Sequence, residues 1–253
     1  MKNNIGKSVL RYIISTTGIF LVAFGIVLSV NANLGINGLN ATPYAFSVKY
    51  PVFTLGLYNI LFFTVCMLVQ LLVLGRRFKW IDLLQVPANF LLGIFINWCA
   101  PLCLSLGLVL PAGPETEICA ASTEVLGESL AAGAVSGSSS TVLIQIGLLV
   151  LACIISAIGI SLEVSAKAWM LPADMTVRAF AIATKGKFST VKIFVDCSIL
   201  LISLIVCLLF FGNLLGPKET PIIGWGTLAL AVCIGLCMKL TQPLTDRLCS
   251  KLQ

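Results

Sequence analysis

Long apolar runs separated by short polar segments organise this chain. The runs fall at about 11–33, 54–75, 81–104, 141–163, 189–211 and 221–242. Each is roughly 18 residues or longer and nearly uncharged, enough to cross about 30 Å of hydrocarbon as a helix. They lack the alternation of membrane barrel strands, so six helical spans are predicted. Pro87, inside the third run, is tolerable where neighbouring helices satisfy the freed carbonyl. The polar stretch PAGPETEICAASTEVLGESLAAGAVSGSSS, between the third and fourth runs, reads as a surface loop with a helical turn around Glu124 to Leu130.

Composition narrows the class. The chain is 58% hydrophobic and only 10% charged, whereas soluble domains carry about 25% charged residues. A globule in water is therefore excluded. Histidine is absent, which removes His-based acid–base catalysis and His metal sites. Of the ten cysteines, Cys66, Cys99, Cys103, Cys153, Cys197, Cys207, Cys233 and Cys237 lie in apolar runs, where they serve as small hydrophobes. Cys119 is the one clearly placed in a loop. Lys2, Lys7 and Arg11 followed by an apolar run to Val30 resemble a signal peptide, but the run is too long and lacks a small-x-small cleavage site. A retained first membrane helix is expected.

Charge sets the orientation. With the N-terminus cytoplasmic and each run crossing once, all of the 16 Lys and Arg except Lys49 and Lys218 fall on the inner side. The long loop, with Glu115, Glu117, Glu124 and Glu128 and no basic residue, falls outside. This satisfies the positive-inside rule and places both termini in the cytoplasm, at a bacterial inner (cell) membrane. The net charge of +6 then reflects topology and anionic lipid, and no nucleic-acid partner is implied.

The chain also carries an internal duplication. Laying residues 25–48 on 159–182 matches Gly25/Gly159, Ile26/Ile160, Leu28/Leu162, Val30/Val164, Ala32/Ala166, Thr42/Thr176, Ala45/Ala179 and Phe46/Phe180. Asn40 falls on Asp174, and one residue further on, Phe53-Thr54 falls on Phe188-Ser189. Each half holds three spans, an odd number, so the second half inserts upside down. The expected fold is an all-α integral membrane protein with six transmembrane helices as two three-helix inverted-topology repeats. Residues 1–104 and 141–253 form the halves, and 105–140 an external loop.

The loops 34–53 and 168–188 are equivalent and land on opposite sides. Thr42-Pro43 in one and Pro172-Ala173-Asp174 in the other supply helix-start chemistry. Helix N-termini suit anionic groups; the alternative is two amphipathic connectors lying on the membrane surface. Asp196 lies about two turns into the fifth span, and an intramembrane carboxylate needs a reason. Lys192, one turn earlier, offers an ion pair. Glu163 and Lys167 are expected to snorkel to the inner interface. Asn59, Gln70, Gln85, Asn89, Asn97 and Gln145 read mostly as interhelical hydrogen-bond glue. Gly224-Trp225-Gly226-Thr227 reads as a small-residue motif for close helix approach.

ANLGINGLNATPYAF, LPADM, GKFSTVKIFVD and IGWGT, in this order, resemble the YczE/YyaS/YitT family of bacterial membrane proteins over roughly 11–104 and 141–243. The resemblance implies a multi-span inner-membrane protein of uncharacterised activity. The leading expectation is a secondary transporter or exporter of a small solute bound by Asn40, Asp174, Arg178, Asp196 and Lys192. A substrate-capture subunit of a multi-component importer, or a non-transporting scaffold or regulator, is the alternative. Without His, a metal constellation, a phosphate loop or paired carboxylates, neither an enzyme nor a cofactor is expected. Lipid and an unidentified solute are the implied partners, and a homo-oligomer is left open.

Overall fold

The computed structural model describes residues 2–74, 85–108, 139–166, 168, 171–185, 188–217 and 221–250. Most of these are helical, and none lies in a strand. In chain order the helices are α1 (Lys2–Asn31), α2 (Gly38–Lys49), α3 (Leu55–Leu74), α4 (Gln85–Ser105), α5 (Ser139–Ala166), α6 (Pro172–Thr184), α7 (Phe188–Phe211) and α8 (Trp225–Ser250).

Four helices are long and apolar enough to cross a bilayer: Val9–Asn31, Leu55–Val73, Gln85–Ser105 and Val142–Ala166. Trp225–Met238 with Leu240–Cys249, bent by 44°, makes a fifth when counted as one span. The sixth expected run is helical as α7, although its apolar described stretch, Cys197–Phe211, is shorter. Large apolar side chains turned outward, among them Leu72, Trp98, Leu143, Phe194 and Leu209, make a surface suited to lipid and not to water. The turn expected around Glu124 to Leu130 lies outside the described residues.

The centre of the fold is the crossing of α1 and α5. More than half of Val9–Asn31 is buried by the chain, against 22% of Leu55–Val73. A Cβ at Gly18 would lie 2.8 Å from Gly159 O, and one at Gly159 would lie 2.8 Å from Gly18 O and 2.9 Å from Val22 N. Gly25 meets Ala152 and Ser156 in the same way. Low residues on α1 thus meet high residues on α5, so the helices run antiparallel with their backbones nearly touching. Small residues permit this approach, which supplies dispersion where lipid offers no hydrophobic drive. Outside this pair, α4 packs on α1 and α8 on α5.

Polar side chains tie the outer layer to the centre. Asn97 Oδ1 accepts from Gly56 N–H at 3.2 Å, and Asn89 Nδ2 donates to Ile60 O at 3.1 Å, joining α3 to α4 as expected of glue. Ser161 and Ser165 on α5 bond Thr241 and Thr245 on α8 at 2.7 and 2.9 Å, and Ser165 Oγ donates to Asp246 Oδ1 at 2.6 Å. Arg11 Nε donates to Ala166 O at 3.0 Å, neutralising the C-terminal end of α5.

Three sequence expectations change. α2 begins at Gly38, not at Thr42-Pro43, and Pro43 lies inside the helix. Asn37 holds the N-cap position, and burial of Ala41 through Ala45 outweighs the donor that proline removes. Pro87, by contrast, falls in the first turn of α4, where no helical bond is lost, while Pro101 is the interior proline. The Gly224–Thr227 motif approaches a loop and not a helix. Gly226 N–H donates to Leu34 O at 2.9 Å and Ile36 N–H to Ile222 O at 3.0 Å. Gly35, at φ 108°, allows the crossing, since a Cβ there would lie 2.6 Å from Gly224 N.

Candidate functional site

The two short helices are not surface connectors. In α2, Asn40, Ala41, Thr42, Pro43, Tyr44, Ala45 and Ser47 are buried. In α6, Ala173, Met175, Thr176, Val177 and Ala179 are buried. At 12 and 13 residues, each is about 18–20 Å long, too short to cross.

α2 lies along α7 in the same direction. Gly38 sits against Leu200, Thr42 and Ser203 share a buried hydroxyl bond at 2.7 Å, and Lys49 Nζ donates to Phe210 O at 3.0 Å. The N-terminus of α2 is therefore set beside the middle of α7, and its C-terminus beside the end. α6 packs on α3 and on α7, and α2 also packs on α3. The four helices α2, α7, α6 and α3 close a ring in which short and long elements alternate.

Buried amides line this layer. The face of α3 turned to α4 carries Gly56, Ile60 and Thr64. Asn59 and Gln70 lie on another stripe, spaced for one helix face, and are 0% and 1% exposed. Besides α4, the helices α2 and α6 pack on α3 among the described residues. Asn59 Nδ2 donates to Leu55 O at 3.0 Å, leaving its Oδ1 without a partner. Gln70 Oε1 and Asn40 Oδ1 are also unpartnered. Each such buried acceptor costs about 1–3 kcal/mol unless a donor reaches it, so the layer is suited to polar company.

Of the sequence-derived site residues, Asn40 is described in full, at 4% exposed in the first turn of α2. Asp174 is the third residue of α6, as Asn40 is of α2, and Arg178 follows one turn later. Lys192 and Asp196 lie on α7, Asp196 one turn before Leu200. The side chains of Asp174, Arg178, Lys192 and Asp196 lie outside the described residues, so the expected cluster is placed by backbone alone.

Glu163 departs from its expected role. Instead of snorkelling it is 1% exposed, and its Oε1 accepts from Leu171 N–H, just before α6, at 2.6 Å. The N-terminus of a buried helix offers amides and partial positive charge, and a nearby carboxylate satisfies both. Lys167 lies outside the described residues. The signal was present in the repeat, where the acidic Glu163 falls on the neutral Ser29 between matched apolar residues Leu28/Leu162 and Val30/Val164.

Geometry and surface define an all-helical, membrane-embedded protein with two buried short helices. The chain belongs to the family of unknown function DUF6198, whose model matches residues 9–127 and 118–243. No curated protein and no solved structure matches it.

Proposed function

We propose that this protein is a secondary transporter or exporter of a small solute, built from two inverted repeats, with its path inside the ring of α2, α3, α6 and α7. The observation that carries the reading is reciprocal packing. α2 lies on α7 as α6 lies on α3, and α1 bears α4 as α5 bears α8. At the centre, Gly25 meets Ala152 and Ser156, and the matched Gly159 meets Gly18 and Val22. These contacts exchange under the same shift that aligns 25–48 with 159–182. Antiparallel partners related in this way support the proposed two-fold axis across the helices, in the membrane plane. The two family matches, 9–127 and 118–243, meet within the 105–140 segment and are in keeping with this division.

Buried short helices in such repeats supply N-termini and polar side chains where a solute must leave water. Asn40, Asp174, Arg178, Lys192 and Asp196 are the residues assigned to it. The basic residues orient both termini toward the cytoplasm at the bacterial inner membrane, and the 105–140 segment toward the outside. The test is flux. Proteoliposomes of the full chain should take up or release small polar solutes faster than empty liposomes in a swelling assay, and Thr42→Leu should slow that flux. Equal rates with and without protein, over neutral, anionic and cationic solutes, would retire the transporter reading.

A further inference from the structure

The two short helices differ at their starts. Leu171 N–H, at the head of α6, donates to Glu163 Oε1 at 2.6 Å, so a carboxylate of the chain itself occupies that N-terminus. In the repeat, Glu163 matches Ser29, and Leu171 matches Asn37, the N-cap of α2. Ser29 is 2% exposed, and its hydroxyl donates to Ile26 O at 2.7 Å within α1. It carries no charge to α2. Asn37 forms no side-chain cap hydrogen bond. Among the described side chains, none brings to the head of α2 the carboxylate that Glu163 brings to the head of α6.

Asn40 marks the same place independently. It is 4% exposed, and its Oδ1 has no hydrogen-bond partner. Helical side chains tilt toward the helix N-terminus, so from the first turn this amide leans toward the N-terminal end of α2, where Asn37 makes no side-chain cap. A half-turn of its terminal torsion, which is broad and two-fold, presents Nδ2 as a donor instead. Thr42, nearby on the same helix, is already committed to Ser203.

We propose that the head of α2 binds an oxyanion group of a small solute, carboxylate or phosphate, in the place that Glu163 fills at α6. The backbone amides of Gly38 and Leu39 and the side-chain amide of Asn40 donate to it, while the Asn40 N–H stays on Asn37 O at 2.8 Å, and the helix dipole favours its charge. The inference deepens the transporter reading and rests on it for the route by which the anion arrives. It also gives the duplication a chemical sense: one half keeps its anion permanently, and the other exchanges it.

The test is equilibrium binding to the purified full chain in detergent, read by thermal unfolding. Sodium acetate and sodium phosphate serve as probes, against sodium chloride at equal ionic strength. At least one oxyanion should raise the unfolding midpoint above chloride, since a ligand that binds only the folded state stabilises it. A response to acetate alone identifies a carboxylate, and to phosphate alone a phosphate. Asn40→Asp and Ser29→Glu, each installing a carboxylate at the head of α2, should abolish that shift. Asn40→Asp is nearly isosteric and decides the matter where Ser29→Glu fails to fold. No shift with either oxyanion, or a shift that survives in Asn40→Asp, would overturn the site. An oxyanion shift without flux in proteoliposomes would retire transport and keep the site; flux without the shift would do the reverse.

Discussion

Removing the carboxylate of Glu163 should uncap α6 and destabilise the protein more than any other single change in this layer. Glu163→Ala takes away the acceptor of Leu171 N–H, bonded at 2.6 Å, in a place 1% exposed. A hydrogen bond to a charged group contributes about 1.5–3 kcal/mol, and an anion at a partly buried helix start about 0.3–2 kcal/mol more. Relief from holding a carboxylate out of water offsets part of this, so a loss of about 2–4 kcal/mol is expected. Glu163→Gln keeps an acceptor but not the charge and should lose about 1–2 kcal/mol. At about 2–4 °C per kcal/mol for a chain of this size, Glu163→Ala should melt roughly 5–15 °C lower. The assay is thermal unfolding in detergent with a thiol-reactive dye, which reads exposure of the buried Cys99, Cys103, Cys153 and Cys207. An alanine variant melting with the parent, or a glutamine variant melting below the alanine one, would refute the capping role.

Three further outcomes follow from the packing. Gly159→Leu should separate α1 from α5, because even a Cβ there lies 2.8 Å from Gly18 O; a loss of about 1–3 kcal/mol or failure to insert is expected, measured by yield of folded protein. Thr42→Val and Ser203→Ala should each lower stability by about 1 kcal/mol, and the double variant should lose less than their sum. Gly226→Val should break the crossing of the Leu34–Ile36 loop with the start of α8, where a Cβ would lie 2.6 Å from Leu34 O; faster proteolysis at the loops 32–37 and 221–224 would report it.

The helices were legible because an apolar run of spanning length is itself the signal. α3, α4, α5 and α7 begin and end within a few residues of their runs, while α1 starts earlier than its run, at Lys2. α8 departs at its other end: it runs on to Ser250 beyond the apolar stretch, held to α5 by the Ser–Thr pairs that hydropathy does not weigh. The short helices were half legible. Pro172 opens α6 as its chemistry suggests, but in α2 proline is interior, because burial against α7 and α3 sets the register and local start signals do not. Glu163 was misread because an i,i+4 partner and a span end suggest snorkelling; the acceptor role depends on Leu171, brought over it only by the turn into α6. The repeat singled out Asn40 through its match to Asp174, while its burial and its unpartnered oxygen are properties of packing alone.

The central claim, that α2 and α6 enter from opposite faces of the membrane, is tested most directly by labelling single cysteines with a membrane-impermeant maleimide in intact cells. In an otherwise cysteine-free chain, Val52→Cys reports the exposed turn after α2, and Lys185→Cys the exposed turn after α6. The account predicts that Val52→Cys reacts in intact cells and Lys185→Cys reacts only after permeabilisation. Both positions reacting from the same side would contradict it.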